Sequence, residues 1–321
     1  MPSDTAIKTE GLTKDYSGFW RPDSPDPALK ELNLSVPRGT VFGFLGPNGA
    51  GKTTTIRCLM DLIRPTRGKA WVLGESTDNI DVRAKVGYLP DSPSFGAYLS
   101  AQGFLQQCAR LLKIPRDRRA GRLDEVLHAV RMQDHRTELL STFSRGMLQR
   151  IGIAQALLNE PELLILDEPL VGLDPEGRKE VLQIMRERGD KGVCVFFCSH
   201  ILSDVEALCD RVGILSRGEL QAVGTTAHLL AAEGAELTIP AAHEALAREL
   251  LITADSSSRG PDQTWILEFS DKETIRSLRD RDLPPDVSMR QRRERLETLF
   301  FRLTGTGPGA AERRGDTVQS T

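Results

Sequence analysis

The feature that most restricts what this chain can fold into is a single run, Gly46-Pro-Asn-Gly-Ala-Gly-Lys52-Thr53. Ahead of it, Val41-Phe-Gly-Phe-Leu45 is a short unbroken apolar segment and reads as a buried strand. Behind it, Ile56, Leu59, Met60 and Ile63 recur at i, i+3, i+4 and i+7, one face of a helix. Strand, glycine-rich turn and helix together fit G-x-x-x-x-G-K-[ST] over its whole length. Glycines let the backbone curl with successive N–H groups turned inward, a nest for phosphate oxygens. The helix that follows adds the positive end of its dipole. Gly46, Pro47, Asn48, Gly49, Ala50 and Gly51 are therefore expected to wrap a phosphate, followed by Thr53 and Thr54. Lys52 supplies a point charge to β- and γ-phosphates, and the Thr53 hydroxyl a ligand for Mg²⁺.

Around this run the chain alternates strands and helices. Residues 5–45 show the spacing of antiparallel strands, with Ile7, Leu12, Leu32, Leu34 and Val36 on the apolar side. Between them lies a loop at 21–27 with three prolines, which excludes a central strand. Residues from about 99 to 158 read as mostly helical, with Leu105, Leu111, Leu112, Val126, Leu127 and Val130 spaced for buried faces. Leu163-Leu-Ile-Leu166 and Val193-Cys-Val-Phe-Phe197 are fully apolar strands. Buried apolar strands alternating with helices predict an α/β domain on a mainly parallel sheet, interrupted by a helical subdomain. Composition changes near residue 222. A strand at 264–269 and a helix at 290–303, with Leu296, Leu299, Phe300 and Leu303 on one face, then predict a small α+β region. Residues 306–321 are polar and glycine-rich and are expected to form a disordered tail.

The strand at 163–166 ends on two carboxylates, Asp167 and Glu168. Open parallel sheets place ligands at the C-terminal ends of their strands. Asp167 can hold Mg²⁺ there, directly or through water, and Glu168 can reach an attacking water as general base.

With these residues in view, the chain resembles the ATP-binding cassette family. Ser144-Arg-Gly146-Met-Leu-Gln-Arg150 is similar to the family signature, usually written LSGGQ, just ahead of the acidic strand. Gly172-Leu-Asp174 looks like the D-loop, and Ser199-His200 like the switch histidine. Five motifs stand in the family's order within residues 5–225. More closely, the chain is similar to the subgroup that powers drug-, antibiotic- and polysaccharide-export permeases. The carriers are Val86-Gly-Tyr-Leu-Pro90, the Ser-Arg-Gly-Met signature, Ser199-His-Ile-Leu-Ser-Asp-Val-Glu-Ala-Leu-Cys-Asp-Arg211, and the ending Leu296-Glu-Thr-Leu-Phe-Phe-Arg-Leu-Thr-Gly305. The resemblance implies a P-loop nucleotidase sheet with an antiparallel β subdomain and an inserted helical subdomain at about 92–160. It also implies a small C-terminal domain, placed at 226–305.

The resemblance further implies an ATP- and Mg²⁺-dependent ATPase. Two chains would sandwich two nucleotides head to tail as a homodimer, coupled to a separate membrane permease. Ser144 is a good N-cap, so the helix behind it, with Gly146, offers free N–H groups to the γ-phosphate of the opposite chain. Asp174 would lie at the dimer interface, His200 would contact the γ-phosphate, and Tyr16 would stack on adenine. Two positions depart from the usual pattern. The signature ends on Met147 rather than Gln, and Asp91 stands where the family usually has Gln after Gly-Tyr-Leu-Pro. Asp91 is counted with Thr53 and Asp167 as a Mg²⁺ neighbour.

Other readings fit less well. A net charge of −3 gives no electrostatic case for nucleic acid, and in the basic run at 290–295 Glu294 dilutes the arginines, as expected of a solvated helix face. A non-transport ATPase of the same architecture, acting on nucleic acid or ribosomes, usually carries long coiled coils or two cassettes, and neither is present. Five scattered cysteines read as reduced core thiols. Apolar content is 39%, yet no stretch approaches the ~18–20 apolar residues of a membrane helix, and the first residues lack the pattern of a signal peptide. A cytosolic location, peripheral on the inner face of the cell membrane, is therefore expected.

Overall fold

The computed structural model describes residues 4–17, 27–230, 234–260, 262–269, 271–292 and 296–305. It divides into two compact units, Met1–Thr226 with Phe300–Thr321, and Ala227–Leu299. The proline loop at 21–26 and the tail at 306–321 lie outside the described residues.

The first unit opens with β1 (Thr5–Lys14) and β2 (Leu29–Pro37), paired antiparallel with Ile7 opposite Val36 and Thr9 opposite Leu34. Next come β3 (Val41–Leu45) and α1 (Lys52–Leu59). β4 (Arg67–Val72) and β5 (Glu75–Ser76) complete an antiparallel sheet in the order β2-β1-β4-β5. After β6 (Val86–Leu89), three helices follow: α2 (Ala101–Leu111), α3 (Arg116–Ala129) and α4 (Arg145–Leu157). Then β7 (Leu163–Asp167), α5 (Pro175–Asp190), β8 (Cys194–Ser199), α6 (Leu202–Leu208), β9 (Arg211–Ser216) and β10 (Glu219–Thr225) alternate. The second sheet has the order β10-β9-β3-β8-β7-β6. Its strands from β9 to β6 are parallel, and β10 folds back antiparallel on β9.

Strands β3, β7 and β8 are buried along their entire length, as parallel strands covered on both faces must be. Phe42 stacks on Phe196 at 5.6 Å between centroids, and Phe44 packs on the same ring at 5.4 Å. Fully burying one such ring stabilises by about 1.5–3 kcal/mol. Cys194 and Cys198 belong to this core, and burial pushes the Cys194 thiol up to about 12.

The second unit contains α7 (Thr226–Leu229) from residue 227 on, β11 (Gly234–Ile239), α8 (Glu244–Leu250), β12 (Ser256–Arg259), β13 (Trp265–Phe269), α9 (Lys272–Arg279) and β14 (Ser288–Arg292). Its antiparallel sheet runs β12-β13-β11-β14 over a core of Leu237, Ile239, Ala247, Leu267, Phe269 and Leu278. The last helix, α10 (Leu296–Thr304), is assigned partly to each unit.

Three sequence expectations change. Residue 290 lies in β14, paired opposite Glu236 of β11, rather than in the final helix. α1 stops at Leu59, so Ile63 packs on the core from beyond the helix end. Leu111 and Leu112 are exposed: the buried stripe of α2 is Ala101, Leu105 and Ala109, Leu111 falls off that stripe, and Leu112 lies past the helix end. Among the described residues no helix is long and apolar enough to cross a membrane.

Candidate nucleotide site

The order β3-β8-β7 decides where the chemistry collects. Leu45 is level with Ser199, and Asp167 with Cys198. The glycine-rich loop after β3, His200 after β8 and Glu168 after β7 therefore emerge side by side at the C-terminal edge of the sheet. They border a cleft of about 730 Å³ lined by the loop from Pro47 to Thr54, with Tyr16, Asp91, Glu168 and His200.

Glycine is required in the loop at two points. A Cβ on Gly46 would lie 2.5 Å from the Leu215 carbonyl oxygen. Gly51 has φ +110°, and a Cβ there would lie 2.5 Å from the Ala28 carbonyl oxygen. The loop thus closes tightly enough to turn Lys52 inward. Lys52 is 6% exposed and donates to the Gly46 carbonyl at 2.6 Å. Its Nζ also lies 3.3 Å from Glu168 Oε1. The other oxygen, Glu168 Oε2, is 3.0 Å from His200 Nδ1. Glu168 has φ 49°, a left-handed backbone that costs a non-glycine residue about 1–3 kcal/mol and persists where its surroundings hold it. The cation on one side and the imidazole on the other hold this carboxylate. It is oriented toward the cleft and shielded from bulk water, which suits a general base.

Asp167 sits beneath. It is 1% exposed, and neither carboxylate oxygen has a hydrogen-bond partner. Burial raises its pKa, and the Asp91 and Glu168 carboxylates add to that. The Thr53 hydroxyl, facing it without a well-formed hydrogen bond, and Lys52 pull the other way. Unpartnered buried oxygens of this kind are costly, and a hard divalent cation satisfies them. Among the described residues no three His, Cys, Asp or Glu side chains cluster as a complete metal cage. Mg²⁺ takes one or two carboxylates and fills the rest of its shell with water and phosphate oxygens. Asp91 is exposed, accepts from the Ser92 hydroxyl at 3.3 Å and faces the same cleft. Tyr16 stands at its edge with Lys14 Nζ 5.2 Å over the ring.

A protein from Nostoc described as an uncharacterized ABC transporter ATP-binding protein is 42% identical over 232 residues, covering 71% of this chain and 69% of that one. The chain belongs to the ABC transporter ATP-binding family. The family model itself matches residues 29–171 of this ABC ATPase. The bacitracin transport ATP-binding protein of Bacillus licheniformis is 42% identical over 219 residues, 67% of this chain and 68% of that one. The linearmycin resistance ATP-binding protein of Bacillus subtilis is 31% identical over 293 residues, 86% of this chain and 93% of that one. Among solved structures, an ATP-binding subunit of an ABC transporter superposes with a TM-score of 0.62 at 30% identity, over 70% of this chain and 92% of that one.

Three motif residues of the ABC ATPase lie outside the cleft. Ser144 caps α4, its hydroxyl accepting from Met147 N at 3.2 Å. Gly146 is next along the same helix end, and a Cβ there would meet nothing closer than Leu173 Cδ2 at 3.8 Å. Asp174 caps α5, accepting from Gly177 N at 3.0 Å. Sequence reasoning missed Arg57, Val171 and Ala28, which also line the cleft. Arg57 lies one helical turn beyond Thr53, so the 3.6-residue period was the signal for it. Nothing local marked Ala28 or Val171.

Proposed function

We propose that this ABC ATPase binds Mg²⁺-ATP in the cleft and hydrolyses it to drive export through a separate membrane permease, working as a head-to-tail pair of identical chains. The observation that carries the reading is the Lys52–Glu168–His200 line above the partnerless Asp167 carboxylate at the mouth of the phosphate loop. Tyr16 stacks on the adenine. The loop N–H groups and Lys52 bind the β- and γ-phosphates. Asp167, Thr53 and Asp91 hold Mg²⁺, which supplies neutralisation of the charge on the phosphate oxygens. Glu168 accepts a proton from the attacking water as its oxygen bonds to the γ-phosphorus and the bond to the ADP oxygen breaks. His200 fixes the Glu168 carboxylate through Nδ1 and leaves its other nitrogen for the γ-phosphate.

Pairing is supported by the exposed N-terminal end of α4, where Ser144 and Gly146 stand clear of their own cleft. Export is supported by relatives named for bacitracin transport and linearmycin resistance. The chain then works in the cytosol, docked on the inner face of the membrane, and residues 226–305 form an accessory domain. The test is Glu168→Gln. ATP binding is expected to persist while turnover falls about 100-fold or more, the range for losing a general base. Near-normal turnover would remove Glu168 from this role.

A further inference from the structure

We infer that the helices α2 and α3 hold a second ligand site, a cavity for a phosphate-rich anion, separate from the nucleotide cleft. The cavity between them measures about 440 Å³, within the size range of small-molecule sites. One wall is the α2 stripe Gln102, Gln106 and Arg110, spaced i, i+4 and i+8. The other is the α3 stripe Arg116, Arg119, Ala120 and Leu123, spaced i, i+3, i+4 and i+7. Arg136 completes the lining. Four guanidiniums and two amides thus border one space in a chain whose net charge is −3, and among the described residues no carboxylate lines it. None of these residues lines the nucleotide cleft.

Two of the guanidiniums are held by their own chain. Arg136 donates through Nε to Gln102 Oε1 at 3.1 Å, and its Nη2 lies 2.8 Å from Asp124 Oδ1. Arg119 donates through Nε to the Ile114 carbonyl at 2.7 Å. Both keep further N–H groups for a ligand. The other two are unengaged: among the described residues, the Arg110 and Arg116 guanidiniums make no hydrogen bond or ion pair. Local energetics do not favour this grouping. Arg116 is the first residue of α3, where a cation opposes the helix dipole, and Pro115 gives no side-chain cap. Arg116 and Arg119 are also neighbours of like charge on one helix face. Of the four cations Asp124 offsets one, which leaves three around the same space. An anion with several oxygens removes their repulsion and accepts from the N–H forks in pairs. A pyrophosphate group, with two adjoining phosphates, matches three cations better than a single phosphate does. Ala120, the smallest side chain of the lining, leaves the room for it. A soluble pyrophosphate compound and a lipid headgroup both offer this chemistry, and the test separates them.

The experiment uses full-length Lys52→Ala chains, so that the phosphate loop does not compete, and repeats each titration on the unaltered chain saturated with ADP. The probes are inorganic pyrophosphate and phosphatidylcholine vesicles containing phosphatidylglycerol. Pyrophosphate is expected to bind in isothermal titration calorimetry and to raise the melting temperature. Arg110→Ala and Arg119→Ala should each weaken it about tenfold or more, the worth of a charge-assisted hydrogen bond. Arg110→Lys should recover part of the loss, since charge returns without the fork. Ala120→Leu fills the space with every arginine in place and should weaken binding as much. Arg118→Ala removes a cation of the same helical turn that does not line the cavity, and should change little. Without a probe, Arg110→Ala is expected to melt no lower than its parent, which shows that it folds. Vesicle binding that needs Arg110 and Arg119, with no response to pyrophosphate, would assign the phosphate to a lipid. Binding of neither probe would overturn the inference. So would an Arg118→Ala loss equal to that of Arg110→Ala, or indifference to Ala120→Leu, because either result describes a diffuse positive surface and not a cavity.

Discussion

The phosphate-loop cleft and the N-terminal end of α4 are both built from motif residues, yet their side chains are satisfied in opposite ways. In the cleft, Lys52 is gripped by a carbonyl and a carboxylate, and Glu168 lies between Lys52 and His200. At the end of α4, Ser144 and Arg145 are exposed, and a Cβ added at Gly146 would meet only ordinary contacts. The cleft constrains its residues from within one chain. The helix end has residue choices that its own chain does not explain. On the paired-chain proposal, the cleft and the helix end are the two halves of a site that a second chain completes.

The strongest way to break that contrast is to attack the self-contained half. Glu168→Gln should lower ATPase turnover about 100-fold or more while ATP binding persists, and Lys52→Ala should lose nucleotide affinity instead. Equilibrium binding and steady-state ATPase on the same preparations separate the two. Next comes the half that needs completing. Mixing Lys52→Ala chains with Ser144→Arg chains places both lesions on one composite site of the heterodimer and leaves the other intact. ATPase activity in the mixture should exceed that of either variant alone. Activity no higher than the separate variants would break the head-to-tail arrangement.

A smaller effect is expected at Asp91, where cleft and surface meet. Asp91→Ala should leave ATP affinity within about a few-fold, since Mg²⁺ keeps other ligands, and should lower transport when the permease is present. Unchanged transport in Asp91→Ala and Asp91→Gln would make it an ordinary surface acid. The smallest effect on nucleotide chemistry should come from cutting after Gly224. ATP binding should survive, because among the described residues those lining the cleft run no further than His200. Weaker dimerisation or permease docking is the expected cost, read by ultracentrifugation and co-purification.

Much of the cleft was legible because its signals are local. A strand, a turn that only glycine fits and a helix follow one another directly, and each residue's role rests on its immediate neighbours. The Ser144 cap was legible for the same reason. What was not legible depends on neighbours distant in sequence. Nothing near Val193 says that its strand lies between β3 and β7. Leu111 looked like a core residue because apolar spacing was counted without the stripe that Ala101, Leu105 and Ala109 define. Residue 290 was drawn into the final helix because its pairing with Glu236 is set by a strand some fifty positions earlier. The packing of the Arg145 guanidinium against the Gly172 backbone is of this long-range kind as well.

The position of β8 bears on how the molecule is made. During synthesis β3 leaves the ribosome early and β7 much later, and neither neighbours the other in the finished sheet. The strand that joins them, Cys194–Ser199, comes later still. Until it arrives, two buried, mostly apolar strands have no partner on the edge each will share with it, a form prone to aggregation. Nucleotide cannot rescue this stage, because His200 and the alignment of Lys52 with Glu168 also depend on β8. On this strand order, completion of the sheet is expected to wait for β8. Slowing translation just before residue 194 should lengthen the vulnerable interval, and slowing it after residue 225 should not.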